Sequence, residues 1–276
     1  MAAPDLFSLF TNLKQKSSKV DSYFSVYQSH FEKYRGKADL TFVEIGVLNG
    51  GSLLMWRDFF GPSARIIGVD YSPGAQRMRE KGFEIFIGDQ GSPEFWEEFY
   101  RDVGPIDILL DDGGHTNRHQ IVTVESALNH IKDGGLILIE DTFTSYLPRW
   151  GNPSAYSFMN YAKSVGDRLQ ARSPNSPYRQ NKFSAVVYSV SIFESIVGFH
   201  IDRRLCKKAS ILNVGIEDIS AINYWDVEKR LISHSQTQAA RRFLRRIGLE
   251  APTSAVFRVL RWIRFKFENF GLRKYF

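Results

Sequence analysis

Cysteine is almost missing. A single Cys206 in 276 residues excludes an intrachain disulfide and fits a reducing compartment. No window of about 18 uncharged apolar residues occurs, so no membrane-spanning helix is expected. The first residues, "MAAPDLFSLFTNLKQKSSKV", lack a basic stretch followed by a long apolar run, so no secretory leader is expected. Internal repeats and low-complexity tracts are also lacking. A basic surplus is absent from most of the chain. The total charge is +6, yet residues 241–276 hold ten Lys/Arg against two acids, a net +8 that leaves −2 for the remainder. The body of the protein therefore gives no electrostatic ground for binding nucleic acid. These absences together point to a cytoplasmic protein with a basic tail.

What is present is an alternation of strand-like and helix-like stretches from Thr41. "TFVEIG", "RIIGVD", "FEIFIGD", "IDILLDD" and "LILIED" are apolar runs ending in acids or glycine. Between them lie "SLLMWRDFF", "PGAQRMREKG", "SPEFWEEFYRDVG" and "RHQIVTVESALNHIKDGG"; the second and third open on proline or Ser-Pro, and glycine stands at or soon after the end of each. Strands without internal alternation, separated by helices, predict a parallel sheet covered on both faces. "FSAVVYSVSIF" and "SIVGFHI", parted by Glu194-Ser195, predict an antiparallel hairpin closing that sheet. The fold class is α/β: a doubly wound, Rossmann-like domain. Residues 1–38 read as a helical lid, 39–235 as the main domain and 236–276 as a basic tail.

Ligands of open α/β sheets bind beyond the carboxyl ends of the strands. The first such turn is "EIGVLNGGS", with Glu44, Gly46, Gly50 and Ser52. Its spacing is neither G-x-G-x-x-G nor a Walker loop, which disfavours a phosphate cradle. Glu44 would repel a phosphate and attract an ammonium. Asp70 ends the second strand, where an acid accepts ribose hydroxyls. Asp89 and Gln90 end the third and suit the edge of an adenine. Taken together these turns resemble the class I S-adenosylmethionine-dependent methyltransferases over roughly Thr41 to Ile201. The resemblance implies S-adenosylmethionine as cofactor, held by Glu44, Gly46, Gly50, Ser52, Asp70, Asp89, Gln90 and Asp111.

"DDGGH" ends the fourth strand and "IED" the fifth, so Asp112, Glu140 and Asp141 converge on one sheet edge. Clustered carboxylates repel one another, and a hard divalent ion such as Mg²⁺ relieves this with oxygen ligands. His115, with an ordinary pKa near 6.5, can take a proton near neutrality. "LLDDGGHTNRHQ" followed by "LILIEDTFTSY" resembles the metal-dependent sugar O-methyltransferases of the mycinamicin and macrocin type and their cephalosporin-cluster relatives. That resemblance implies Asp112, Glu140 and Asp141 as metal ligands and His115 as general base. The acceptor would be a glycan or glycosylated small molecule whose neighbouring hydroxyls chelate the metal. This chain has Asp-Gly-Gly-His where Asp-Gly-Ser-His is usual in that group, and no counterpart of the long N-terminal auxiliary domain of the macrolide enzymes is expected from these residues.

Other readings stand beside these. Asp111 competes with Asp112 for the metal, although adjacent strand residues face opposite ways. His119 is either a further ligand or a locally bonded residue at a helix start. Tyr146 and Trp150 serve as an acceptor wall or as packing, and Tyr27, His30 and Tyr34 as lid residues or as packing. A metal-dependent hydroxylase or a non-catalytic partner that keeps the donor pocket are the rival functions. In the tail, "SAVFRVLRWIRFKFENF" over 254–270 reads as a basic amphipathic helix. Such a helix suits a membrane surface, a second subunit or its own domain.

Overall fold

The structure is a computed structural model that describes residues 4–150, 155–171, 176–208 and 234–248, with scattered positions between 252 and 270. The chain divides into two compact units, Met1–Ser210 and Ile211–Phe276. The N-terminal 38 residues thus cluster with the first unit.

The apolar runs form the sheet expected of them. Strands β1 (Thr41–Ile45), β2 (Arg65–Asp70), β3 (Glu84–Ile87), β4 (Ile106–Asp111), β5 (Ile131–Ile139), β6 (Val187–Phe193) and β7 (Ile196–Ile201) lie in the order β3-β2-β1-β4-β5-β7-β6. All pairings among β1 to β5 are parallel, while β7 runs antiparallel to both β5 and β6. The strand order reverses between β1 and β4, the position at which open α/β sheets leave a crevice.

Helix starts follow the capping residues. Ser92 accepts from Phe95 N ahead of Pro93, and Thr116 accepts from His119 N. The helices of the first unit are α1 (Leu6–Thr11), α2 (Tyr23–Phe31), α3 (Gly51–Phe60), α4 (Pro93–Val103), α5 (Asn117–Ala127), α6 (Phe158–Arg168), α7 (Lys182–Val186) and α8 (Arg203–Cys206). Side chains alternate across a strand, so each strand feeds two cores. Phe42, Ile108, Leu110, Leu136 and Leu138 pack with Tyr27, Phe31, Trp56 and Phe60 of α2 and α3. Val43, Ile45, Leu109, Ile137 and Ile139 pack with Trp96, Phe99, Val124 and Phe158 of α4, α5 and α6.

Three stretches differ from the reading of the sequence. Pro73–Lys81 is a 3-10 rather than an α-helix. Residues 131–135 join β5 instead of ending a helix, because Gly134 (φ +84°) lets the strand bulge where its register with β4 shifts. The start of the run, Phe183 to Val186, lies within the short α7 (Lys182–Val186), so β6 starts later than its apolar run.

In the second unit, α9 (His234–Arg246) carries Arg241, Arg242, Arg245 and Arg246. Phe243 and Ile247 are more than half exposed. Of the helix read over 254–270, positions 254, 257, 261, 264, 265 and 267–269 lie outside the described residues, as do 209–233. Among the described residues no helix is long and apolar enough to cross a membrane.

Candidate active site

The strand register carries the acids to their places. Glu44, Leu110 and Leu138 stand side by side across β1, β4 and β5, and Ile45, Asp111 and Ile139 form the next row. By alternation Glu44, Asp112 and Glu140 fall on the face covered by α2 and α3, while Asp111 falls on the other. Hydrogen bonds agree. Glu44 accepts from Ser52 Oγ at 2.7 Å and Trp56 Nε1 at 3.1 Å. Asp111 accepts from both sides of a buried knot, Gln90 Nε2 at 2.9 and 3.0 Å and Gly113 N at 3.0 Å.

A cleft of about 760 Å³ opens above these strand ends, within the range of small-molecule sites. One end is bounded by Gly46, Leu48, Asp70, Tyr71, Asp89 and Gln90, the other by Asp112, His115 and Asp141. Asp70 Oδ2 accepts from Val47 N and Leu48 N at 2.9 and 3.0 Å, and Oδ1 from Ser72 N at 2.7 Å. A carboxylate offers about four acceptor sites, so Asp70 ties down the first turn and keeps capacity for a ligand. Asp89 accepts from Gly91 N at 2.7 Å and faces His119 Nε2 at 3.6 Å. The Gln90 amide is committed to Asp111 and, through Oε1, to Gly114 N at 2.7 Å. Gln90 therefore braces the third turn against the fourth and offers no free amide to an adenine.

The two ends of the cleft meet at Gly46. Its φ of +91° is one that L side chains rarely adopt, and a Cβ there would overlap the Asp112 carbonyl. Asp112 N in turn donates to Ile45 O at 3.0 Å. The first turn and the "DDGGH" turn thus pack backbone to backbone.

At the far end Asp112, His115 and Asp141 each offer a ligand atom, all within 4.8 Å of one another. His115 Nε2 lies 3.5 Å from Asp141 Oδ2 and 3.9 Å from Asp112 Oδ1. Both His115 (φ +53°) and Asp141 (φ +54°) hold left-handed backbone, strain of the kind that collects at functional sites. Thr144 Oγ1 pins their turns together by donating to the carbonyls of His115 and Asp141, each at 2.8 Å. Glu140 is fully buried behind them. Oxygen-rich donors of this kind fit a hard divalent cation.

The strongest contacts come from residues that the sequence did not mark. Lys19 Nζ sits 2.5 Å from Asp112 Oδ2, 3.0 Å from Glu140 Oε1 and 3.5 Å from Glu44 Oε1, with 2% of its side chain exposed. Burial opposes its charge, but the surrounding acids, led by Glu140, hold the amine protonated well above the ordinary lysine range. Burial pushes the Glu44 carboxyl up, against the pull of Lys19. Tyr27 OH donates to Glu140 Oε1 and Tyr23 OH to Asp141 Oδ1, both at 2.6 Å. Tyr27 was legible as a lid residue. Lys19 and Tyr23 carried no spacing signal, since each lies about a hundred residues from its partners.

Of the residues read as donor-binding, Gly46, Asp70, Asp89 and Gln90 line the cleft. Glu44, Gly50, Ser52 and Asp111 stand behind its wall and support it. Of the metal-binding set, Asp112 and Asp141 line the cleft and Glu140 does not. His119 caps into α5 through its backbone and turns its ring toward Asp89. Tyr146 is 55% exposed on the 3-10 turn after Asp141. Tyr34 donates to Gly134 O, and the His30 ring packs on His200 and Phe193. Both of these lie among packing contacts.

Residues 43–142 match a family described as a methyltransferase domain. The chain is 32% identical over 188 residues to mycinamicin VI 2''-O-methyltransferase of Micromonospora griseorubida, covering 63% of this chain and 44% of that protein. It is 32% identical over 182 residues to demethylmacrocin O-methyltransferase of Streptomyces fradiae, covering 61% and 45%. The MycE methyltransferase of the mycinamycin biosynthetic pathway, in complex with Mg and SAH, matches with a TM-score of 0.68 at 27% identity, over 79% of this chain and 58% of that one. The chain spans less than half the length of the two curated relatives. Over residues 43–142 the chain carries a region that matches a methyltransferase domain.

Proposed function

We propose that this protein transfers a methyl group from S-adenosylmethionine to a sugar hydroxyl of a glycan or glycosylated metabolite, with a divalent ion, Mg²⁺, at the acceptor end. The observation that carries the reading is the single cleft that joins the Gly46–Asp70–Asp89 end to the Asp112–His115–Asp141 end. The donor lies along the first three strand turns: its methionine part against Gly46, its ribose on the remaining acceptor capacity of Asp70, and its adenine between Tyr71 and Asp89. Asp112, Glu140 and Asp141 would hold the ion, which when bound would acidify a chelated hydroxyl. His115 Nε2 accepts the proton of that hydroxyl as general base. An oxygen-preferring ion leaves the imidazole free for this task, since nitrogen ligands suit zinc, copper, iron or nickel better. Aligning donor and acceptor supplies much of the rate. The exposed Phe143 and Tyr146, on the turn after Asp141, offer apolar faces to the acceptor.

The relatives named for mycinamicin VI and demethylmacrocin support a glycosylated acceptor. Because the match covers less than half of those relatives, the aglycone is left open to a different class. Unit two supports an anionic membrane surface as the place of work. On α9, Arg241, Arg242, Arg245 and Arg246 cover one arc at helical spacing, and exposed Phe243 with the following Ile247 covers another. A lipid-linked glycan at that surface is an acceptor of the right chemistry.

The deciding experiment is calorimetric titration of S-adenosylhomocysteine into the full chain and into Asp70→Ala. It is followed by transfer of labelled methyl to glycan acceptors with Mg²⁺ or EDTA. Binding should weaken by roughly tenfold or more in Asp70→Ala, the worth of one or two charge-assisted hydrogen bonds, and transfer should stop in EDTA. Absence of S-adenosylhomocysteine binding to the wild-type chain would sink the proposal.

A further inference from the structure

We propose that Lys19 is a built-in counter-ion of the acidic site, and that a divalent ion must displace it and so release the segment that carries it. The inference rests on the ligand set proposed above.

Lys19 Nζ stands where a cation bound by Asp112 and Glu140 would stand. It touches Asp112 Oδ2 at 2.5 Å and both Glu140 oxygens at 3.0 and 3.2 Å, with Glu44 Oε1 at 3.5 Å. Glu44 and Glu140 are fully buried. Without a positive partner, carboxylates this deep are strongly destabilising, and an ammonium on a flexible four-carbon stem is the charge that the chain itself can supply. Mg²⁺ takes its oxygens at about 2.0–2.1 Å in a near-octahedral shell. An ion drawing on both Asp112 and Glu140 therefore leaves no room for Nζ between them. The two cations compete for one seat.

Displacement reaches beyond the seat because of where Lys19 lies. It belongs to residues 12–22, which join α1 to α2 without helix or strand. This segment crosses the donor turn. The Gln15 amide donates to Asn49 O, and Lys81 Nζ donates to Gln15 Oε1 at 2.7 Å. At Gly51 an added Cβ would stand 2.8 Å from Ser17 Cβ, so the glycine leaves the strap its path. Ser18, next to Lys19, is part of the cleft wall. Withdrawing Lys19 thus shifts the wall of the donor cleft, and metal loading and strap position become linked functions. The coupling is reciprocal: what stabilises the strap weakens the ion, and the ion loosens the strap.

Two measurements on the metal-free full chain test this. In the first, MgCl2 is titrated calorimetrically into wild type and Lys19→Gln. The variant should bind Mg²⁺ roughly tenfold or more tightly, a coupling of ordinary size. In the second, hydrogen exchange of the wild type is followed with and without MgCl2, which keeps the test open should Lys19→Gln fail to fold. Amides over 15–22 should exchange faster with Mg²⁺ bound. Equal or weaker Mg²⁺ binding in Lys19→Gln overturns the role of Lys19 and leaves the metal site standing. So does unchanged or slower exchange over 15–22 in Mg²⁺-loaded wild type. No Mg²⁺ binding by either protein overturns the metal reading and the Lys19 inference with it.

Discussion

Gly46 is where a single atom decides the most. Alanine at this position would combine strain at φ +91° with an overlap against the Asp112 carbonyl. Strain of this kind costs about 1–3 kcal/mol and overpacking a similar amount. Gly46→Ala is expected to lower the melting temperature by roughly 5–10 °C for a domain of this size and to weaken both S-adenosylhomocysteine and Mg²⁺ binding. A thermal melt paired with the two titrations checks it; loss of one ligand alone would mean that the turns do not act as a unit. At this scale the sequence was informative about which acids end the strands. Alternation also separates Asp111 from Asp112 and sets Glu44 on the face of Glu140. It could not reveal that Ser52 and Trp56 hold Glu44, that Gln90 is committed to Asp111, or that Lys19 enters the cluster. Those pairings join distant stretches and leave no periodic trace.

Among the elements, β7 carries a group with a clear pH signature. Burial, with help from His30 and Lys33, lowers the His200 imidazole to about 4, and burial lowers His30 in the same sense. Folded His200 thus stays neutral while the unfolded chain takes up a proton near pH 6.5. A histidine depressed in this way costs nothing above pH 6.5 and progressively destabilises the fold as pH falls from there toward 4. Melting curves between pH 7.5 and 4.5 should show His200→Phe losing less stability across that window than wild type; identical slopes would refute the assignment. The elements themselves were mostly readable, because proline, serine and glycine mark helix ends where backbone groups need partners. The misreadings share a cause. Gly134-Gly135 signals a helix end locally, yet the neighbouring β4 recruits it as a strand bulge, and pairing partners are not visible in a local pattern.

The first unit of the molecule is balanced in charge and the second carries the whole net +6, with the basic surplus concentrated from Arg241 onward. If unit two meets an anionic bilayer, the full chain should sediment with vesicles containing about a third phosphatidylserine or phosphatidylglycerol at low salt. It should release as ionic strength approaches about 0.5 M, where the Debye length falls to a few ångströms. Equal sedimentation with purely zwitterionic vesicles would show that the basic arc of α9 does not draw the chain to an anionic surface and would refute that part of the reading. The order of the first unit's sheet was legible in outline, since alternating strands and helices have few permitted windings.

The contact of Gly46 with the Asp112 carbonyl also bears on how this site can change over generations. Two surface turns that touch only through side chains can drift separately, each sampling new residues while the other stays put. Here no side chain intervenes, so position 46 is closed to drift until the "DDGGH" turn moves first. A library that randomises residues 46–50 alone should return glycine at 46 among its active members. One that randomises residues 46–50 and 111–115 together should recover other residues at 46, each accompanied by a rebuilt second turn.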